Sequence, residues 1–225
     1  MFKNLLQFWK GKDFLSHVLE EFKNMLNDTQ VMFESVCKKI IHNEEQPDLE
    51  NKIYEIDKRV NDLEKNIRTR VVEHLSMQPS VDIPTCLLLM SVVKDAERLG
   101  DYSKNLFQVS SILDKPIAKN TYTGLFGSIE QDISGLFQQT KEAFIESDED
   151  KAQSAWNVET KIVKTCDDII EKLAKSSLSV NEAVCFTLMA RYYKRLAAHL
   201  TNIATSVILP LSDLDYFDEK RKNVK

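Results

Sequence analysis

Long stretches of the chain carry apolar residues at helical spacing, and this pattern constrains the fold more than any other feature. Between residues 48 and 75 the apolar side chains follow one another at intervals of three or four: Leu49, Ile53, Ile56, Val60, Leu63, Ile67, Val71 and Leu75. That spacing places them on one face of a helix and is typical of helices packed at small angles. Five glycines and five prolines in 225 residues also favour long helices over many-turned β-structure.

The same spacing predicts helices in every part of the chain. Their expected ranges are 14–42, 48–75, 82–113, 122–147, 150–175 and 179–208. Pro84 falls in the first turn of its helix, where a missing N–H is tolerated. Ser179 and Glu182 have the spacing of a capping box at the start of the last helix. The sequence therefore predicts an all-α fold.

The order of helices occurs twice. An offset of 97 residues aligns ERLGDYSKNL (97–106) with KRLAAHLTNI (194–203), and an offset of 102 aligns YEIDKRV (54–60) with WNVETKI (156–162). The loop between the second and third helices is therefore about five residues shorter in the second half. We predict two tandem antiparallel three-helix bundles related by a pseudo-twofold axis. The first would comprise residues 1–118, including an amphipathic N-terminal segment, and the second residues 119–225.

Bulk properties exclude some classes of protein. A net charge of −5 and a pI near 5.5 argue against a general nucleic-acid binder, which would carry a basic surface. The longest apolar run, residues 86–93, is too short to span a bilayer. The four cysteines form no CxxC pair, and two lie in apolar runs, so we expect buried, reduced thiols and a cytoplasmic protein.

The N-terminal segment alternates apolar residues with lysines. The apolar residues are Phe2, Leu5, Leu6, Phe8 and Trp9, and the lysines are Lys3, Lys10 and Lys12. This pattern fits either a helix packed on its own domain or a short helix at a membrane surface. Of the two, we favour packing on the domain.

Acidic residues gather in the third helix, in the stretch KDAERLGDYSKN (94–105). Glu97 and Asp101 are four residues apart and share one helix face. An antiparallel hairpin around Pro79 would bring Asp57 and Asp62 to the same level. Converging carboxylates repel one another, and a cation removes that cost. Asp57, Asp62, Glu97 and Asp101 are therefore candidate ligands of a divalent or trivalent metal ion such as iron, manganese, magnesium or zinc.

An alternative explanation of these acids is a solvated face with ion pairs. Its basic partners would be Lys58, Arg59, Arg98 and Lys104. Gly100, which costs about 1 kcal/mol relative to alanine in a helix, could allow close approach of a neighbouring helix or a ligand.

The second half lacks the acid pair. Lys194 aligns with Glu97 and Ala198 with Asp101, so we expect little or no metal there although Glu159 and Asp167 remain. His199 follows the position that lost its acid. A lone histidine on a helix is more often a surface or partly buried residue than a ligand.

Nothing in the sequence indicates a catalytic site. GLFGS (124–128) lacks the Lys-Ser/Thr of a phosphate-binding loop. No histidine follows a glutamate by three residues, as in di-iron carboxylate enzymes. We therefore predict no catalytic residues and no enzyme.

Three segments together resemble the PhoU family of phosphate-signalling proteins: EIDKRVNDLE (55–64), MQPSVD (77–82) and DAERLGDYSKN (95–105). The second half keeps MAR (189–191), Arg195 and Asn202 but not the acid pair or the glycine.

This resemblance implies metal clusters on the E-x-x-x-D motif. It also implies a negative modulator of phosphate uptake or starvation signalling that acts through a phosphate ABC transporter ATPase and a sensor histidine kinase. Association with the membrane would then occur through those partners, and a homodimer is compatible with the family. The alternative function is a metal-dependent carboxylate enzyme of the helical-bundle type, or a metal store.

Overall fold

The structure, a computed structural model, describes residues 13–78 and 82–216. The alternating N-terminal segment lies outside these residues, as do Pro79 and its two successors in the expected turn. Asp13 and Phe14 are described by their backbone alone.

Seven α-helices occupy the described part of the chain. They are α1 (Asp13–Ile40), α2 (Leu49–Met77), α3 (Ile83–Ile112), α4 (Lys119–Phe126), α5 (Ile129–Glu146), α6 (Glu149–Ala174) and α7 (Val180–Thr205), followed by a 3₁₀ turn, Leu211–Asp213. The predicted all-α fold is confirmed. Pro84 lies in the first turn of α3, and Ser179 and Glu182 form the predicted capping box of α7.

The single helix predicted over residues 122–147 is wrong, because two helices occupy that region. Helix α4 ends at Phe126 and α5 starts at Ile129. Gly127 between them has φ of 57°, a left-handed value that glycine adopts at little cost and that interrupts a right-handed helix.

Each half of the chain forms an antiparallel three-helix unit, and the two units share one core. Helices α1, α2 and α3 pack together in the first unit, α5, α6 and α7 in the second, and α4 packs on α6. Between the units, α3 packs on α7 and α1 on α5. The ring of Phe22 on α1 lies 4.7 Å from that of Phe144 on α5, and both side chains are fully buried. Burial of these apolar faces stabilises the arrangement of both units.

Two further sequence predictions concern burial and the membrane. All four cysteine side chains are buried, as expected, and burial raises the pKa of the Cys166 thiol to about 12. Across residues 13–78 and 82–216, no helix combines the length and apolar character needed to cross a membrane.

Candidate functional site

The acidic stretch of α3 faces α2, and basic side chains lie among its carboxylates. Lys104 Nζ lies 2.7 Å from Asp57 Oδ1 on α2 and 3.1 Å from Asp101 Oδ1. Arg98 donates a hydrogen bond of 2.7 Å to the other oxygen of Asp101. Burial opposes the charge on Lys104, but the hydrogen bonds to both carboxylates raise its pKa overall. Two of the four predicted acids are thus joined through a lysine that the ion-pair alternative named.

Glu97 lies one turn before Asp101 and is the most perturbed carboxyl of this group. The pKa of Glu97 is raised to about 7, mainly by burial and also by the negative charges of Asp101 and Glu64, against the effect of Arg98. Its nearest cation, Arg98, is 3.6 Å away at Nε. A carboxyl with this pKa exchanges its proton near neutral pH, where a cation could take the proton's place.

Asp62 lies apart from this group, whereas Glu64 belongs to it. Asp62 is exposed and its closest ionic partner is Lys65, at 3.5 Å. At 3.6 residues per turn, five residues separate Asp62 from Asp57 by about 140° around the helix. Seven residues bring Glu64 to within about 20° of the direction of Asp57. Counting two full turns from Asp57 in the sequence would have identified Glu64.

The carboxylates of this group could supply hard oxygen ligands, but too few of them lie close together to form a metal centre. Among the residues that the structure describes, no three His, Cys, Asp or Glu side chains are close enough to hold one ion. Lys104 and Arg98 already neutralise Asp57 and Asp101. The donor chemistry therefore suits a cation, while the present geometry is that of an ion-pair network.

Gly100 packs against α1 and α2 without requiring a missing side chain. A methyl group built on it would lie 3.6 Å from Thr29, 3.8 Å from Met32 and 3.9 Å from Val60, which are ordinary van der Waals distances. The expected close approach is therefore not tight enough to demand glycine.

The aligned face of the second half carries the opposite charge. Lys194 Nζ lies 2.8 and 2.9 Å from the two carboxylate oxygens of Asp167 on α6. Ala198 stands where the first half has Asp101, and Glu159, the counterpart of Asp57, is buried. Among the described residues, this face has no cluster of carboxylates comparable to that of the first half.

His199 joins the two units. Its Nδ1 lies 2.7 Å from Oδ1 of Asp95 on α3, and Asn202 donates a hydrogen bond of 3.2 Å to the same oxygen. His199 is 8% exposed and Asp95 1%, so His199 is more buried than expected. The sequence analysis did not identify Asp95. Its signal was an acid within the apolar stripe of α3, between Val92 and Leu99.

Comparison with known proteins places this arrangement in a family. The PhoU domain model matches residues 22–109 and again 128–207. A "phosphate-specific transport system accessory protein PhoU homolog 1" of Thermotoga maritima is 23% identical over 207 residues, which are 85% of this chain and 79% of that protein. The Deinococcus radiodurans homologue is 20% identical over 199 residues, 86% of this chain and 92% of its own.

Two crystal structures have the same fold. PhoU from Pseudomonas aeruginosa superposes with a TM-score of 0.73 at 20% identity, covering 87% of this chain and 95% of its own. The "phosphate transport system regulatory protein PhoU" of Streptococcus pneumoniae has a TM-score of 0.71 at 16% identity and the same coverage. These relatives are described as accessory or regulatory proteins, which agrees with the prediction that the chain is not an enzyme. Because the domain model matches two segments that together make up well over half of the sequence, the chain belongs to the PhoU family.

Proposed function

We propose that the protein is a cytoplasmic negative modulator of phosphate uptake or starvation signalling. The observation that carries this proposal is the pair of PhoU domain matches, together with relatives described as accessory proteins of phosphate-specific transport. A regulator of this kind needs docking surfaces and no turnover, and the packed helices supply such surfaces. The family assignment favours this function over a carboxylate-site enzyme.

The proposed partners are a phosphate ABC transporter ATPase and its sensor histidine kinase. An affinity pull-down from the native host's membrane extract, in high and low phosphate with mass-spectrometric identification, tests them. We expect recovery of one or both, in an amount that differs between the two phosphate conditions. A pull-down that repeatedly recovers neither, from extracts in which both are detected, would contradict the choice of partners.

A metal ion at the acidic group of α2 and α3 is a separate proposal, resting on the donor chemistry of Asp57, Glu97 and Asp101. Asp101→Asn removes one of these carboxylates, so we expect elemental analysis to find less bound metal while the helical circular dichroism is unchanged. Asp62→Asn is the matched control, because it makes the same chemical change on another face of α2. Unchanged metal content in Asp101→Asn, or an equal loss in both variants, would contradict the site.

A further inference from the structure

A cavity of about 580 Å³ lies between α3, α6 and α7, on the face of the second unit that lost its acids. Its volume is in the range of small-molecule sites. One part of its wall is basic, from Lys94, Arg191, Lys194 and Arg195, and another part is formed by Trp156 and Val163. The cavity therefore offers both cationic and apolar surface to a ligand.

Arg195 has lost the acidic partners that its counterpart keeps. In the first unit, Arg98 bonds Asp101 at 2.7 Å and lies 3.6 Å from Glu97. In the second unit, the corresponding positions hold Ala198 and Lys194. Replacing two carboxylates by a methyl group and an ammonium changes the local charge by three positive units and leaves space where the Asp101 side chain would lie.

Within the described residues, the two arginines of this wall have no acidic partner. Arg195 donates from Nε to the Tyr102 hydroxyl at 3.1 Å, and its guanidinium lies over the Tyr102 ring at 5.6 Å. These contacts hold the side chain without cancelling its charge. No carboxylate in residues 13–78 or 82–216 forms a salt bridge with Arg195 or with Arg191, which lies one turn away on α7. The two lysines differ, since Lys94 pairs with Asp215 at 3.5 Å and Lys194 with Asp167.

The wall also contains three acids, Asp95, Glu159 and Asp215, and none of them forms a salt bridge with Arg191 or Arg195 in the described part of the chain. Asp95 is 1% exposed, and one of its oxygens is shared by His199 and Asn202. The ring of His199 stacks on Tyr102 with centroids 5.5 Å apart, so the network that holds His199 also borders Arg195. Arg195, held by Tyr102, and the exposed Arg191 one turn away both line the cavity. Paired arginines suit planar or tetrahedral oxyanions, because a guanidinium donates paired hydrogen bonds to them.

We propose that this cavity binds a small phosphate-bearing anion, with the phosphate against Arg191 and Arg195 and the rest of the molecule against Trp156 and Val163. The anion supplies from solution the negative charge that Glu97 and Asp101 supply in the first unit. Inorganic phosphate would fill the basic part alone, whereas a phosphorylated metabolite would fill both parts. This binding does not depend on the regulatory role, which can hold without it.

Calorimetric titration of the full chain tests the proposal at constant ionic strength. Inorganic phosphate, pyrophosphate, adenosine triphosphate and sulfate are the ligands. Tight binding of inorganic phosphate identifies it as the ligand, and binding at least tenfold tighter for pyrophosphate or the nucleotide identifies a phosphorylated molecule. Equal weak heats for all four, sulfate included, or no heat at all, would overturn the proposal.

Variants locate the site. We expect Arg191→Gln, and separately Ala198→Asp, to weaken binding by about tenfold or more, the second by restoring an internal partner for Arg195. Arg98→Gln is the control, because it removes the same charge from the first unit, at the position that corresponds to Arg195. An equal loss of affinity in the control would show an effect of net charge alone and overturn the site.

A second readout guards against folding defects. With Trp9→Phe as background, Trp156 is the one remaining tryptophan of the sequence, and pyrophosphate does not absorb at its wavelengths. We expect saturable change of Trp156 emission, absent in Lys194→Glu with Ala198→Asp, which rebuilds the acid pair of the first unit. A full fluorescence response in that double variant, with its thermal transition intact, would contradict the assignment.

Discussion

At the scale of single residues, the environment of Glu97 disfavours the charged form of its carboxyl group. Burial and the neighbouring Asp101 raise its pKa from an ordinary 4.5 to about 7. A carboxyl with a raised folded-state pKa binds its proton more tightly in the folded protein. The stability it contributes is therefore fully present below pH 4.5 and is lost as the pH rises through 7.

Glu97→Gln should make stability less dependent on pH in this window. From pH 5 to pH 8 we expect the free energy of unfolding of the variant to rise relative to that of wild type by about 1 kcal/mol, or about 2–4 °C in Tm. The effect is no larger because solvent screens a partly exposed charge. Thermal unfolding at both pH values measures it. Glu73→Gln, exposed on α2, is the control. If Glu97→Gln gains nothing on wild type across this range, Glu97 does not carry a raised pKa.

Which acids converge could be predicted only in part. The four-residue spacing of Glu97 and Asp101 indicated a shared face, and the hairpin register placed Asp57 at their level. In the structure Lys104 contacts both Asp57 and Asp101. Asp62 was predicted from its level along the helix alone, and its direction around the helix axis was not considered. The sequence analysis missed Asp95 because its partners, His199 and Asn202, are 104 and 107 residues away in the chain.

At the scale of helices, periodicity predicted the long elements well and the short one poorly. Helices α2, α3, α6 and α7 begin and end close to their predicted limits, because caps, prolines and apolar faces agree there. The break between α4 and α5 depends on the backbone of one glycine, Gly127, and apolar residues continue at helical spacing on both sides of it. The spacing of apolar side chains therefore does not reveal such a break.

Gly100→Ala should stabilise α3. The added methyl group meets its neighbours at 3.6 Å or more, and alanine is favoured over glycine in a helix by up to about 1 kcal/mol. We expect a rise of about 2–4 °C in Tm. Gly135→Ala on α5 is the matched control, since nothing lies within 4 Å of its added carbon. A loss of stability at Gly100 alongside a gain at Gly135 would mean that the packing of α1 and α2 requires the glycine.

At the scale of the whole molecule, α3 and α7 pack the two units into one core, and the buried Asp95 is a polar link between them. The tandem arrangement was predictable because the two halves align. The boundary between the two domains at residues 118 and 119 stays a prediction, since the first domain match ends at residue 109 and the second starts at residue 128.

Asp95→Ala should weaken both units together. It leaves the donors of the buried His199 and the partly buried Asn202 without their acceptor, which costs about 2 kcal/mol. Urea unfolding followed by circular dichroism should show one transition at a lower midpoint. Asp62→Ala on the exposed face of α2 should change the midpoint little. Unaltered stability of Asp95→Ala would show that this link does not hold the units together.

The most direct test of the regulatory function is the initial rate of radiolabelled phosphate uptake in the native host. It would be measured in ample phosphate with the gene present, deleted, and restored on a plasmid. We predict faster uptake in the deletion strain and a return to the original rate on restoration, because a negative modulator has been removed and replaced. Equal uptake in all three strains, in ample and in limiting phosphate, would contradict the proposed function.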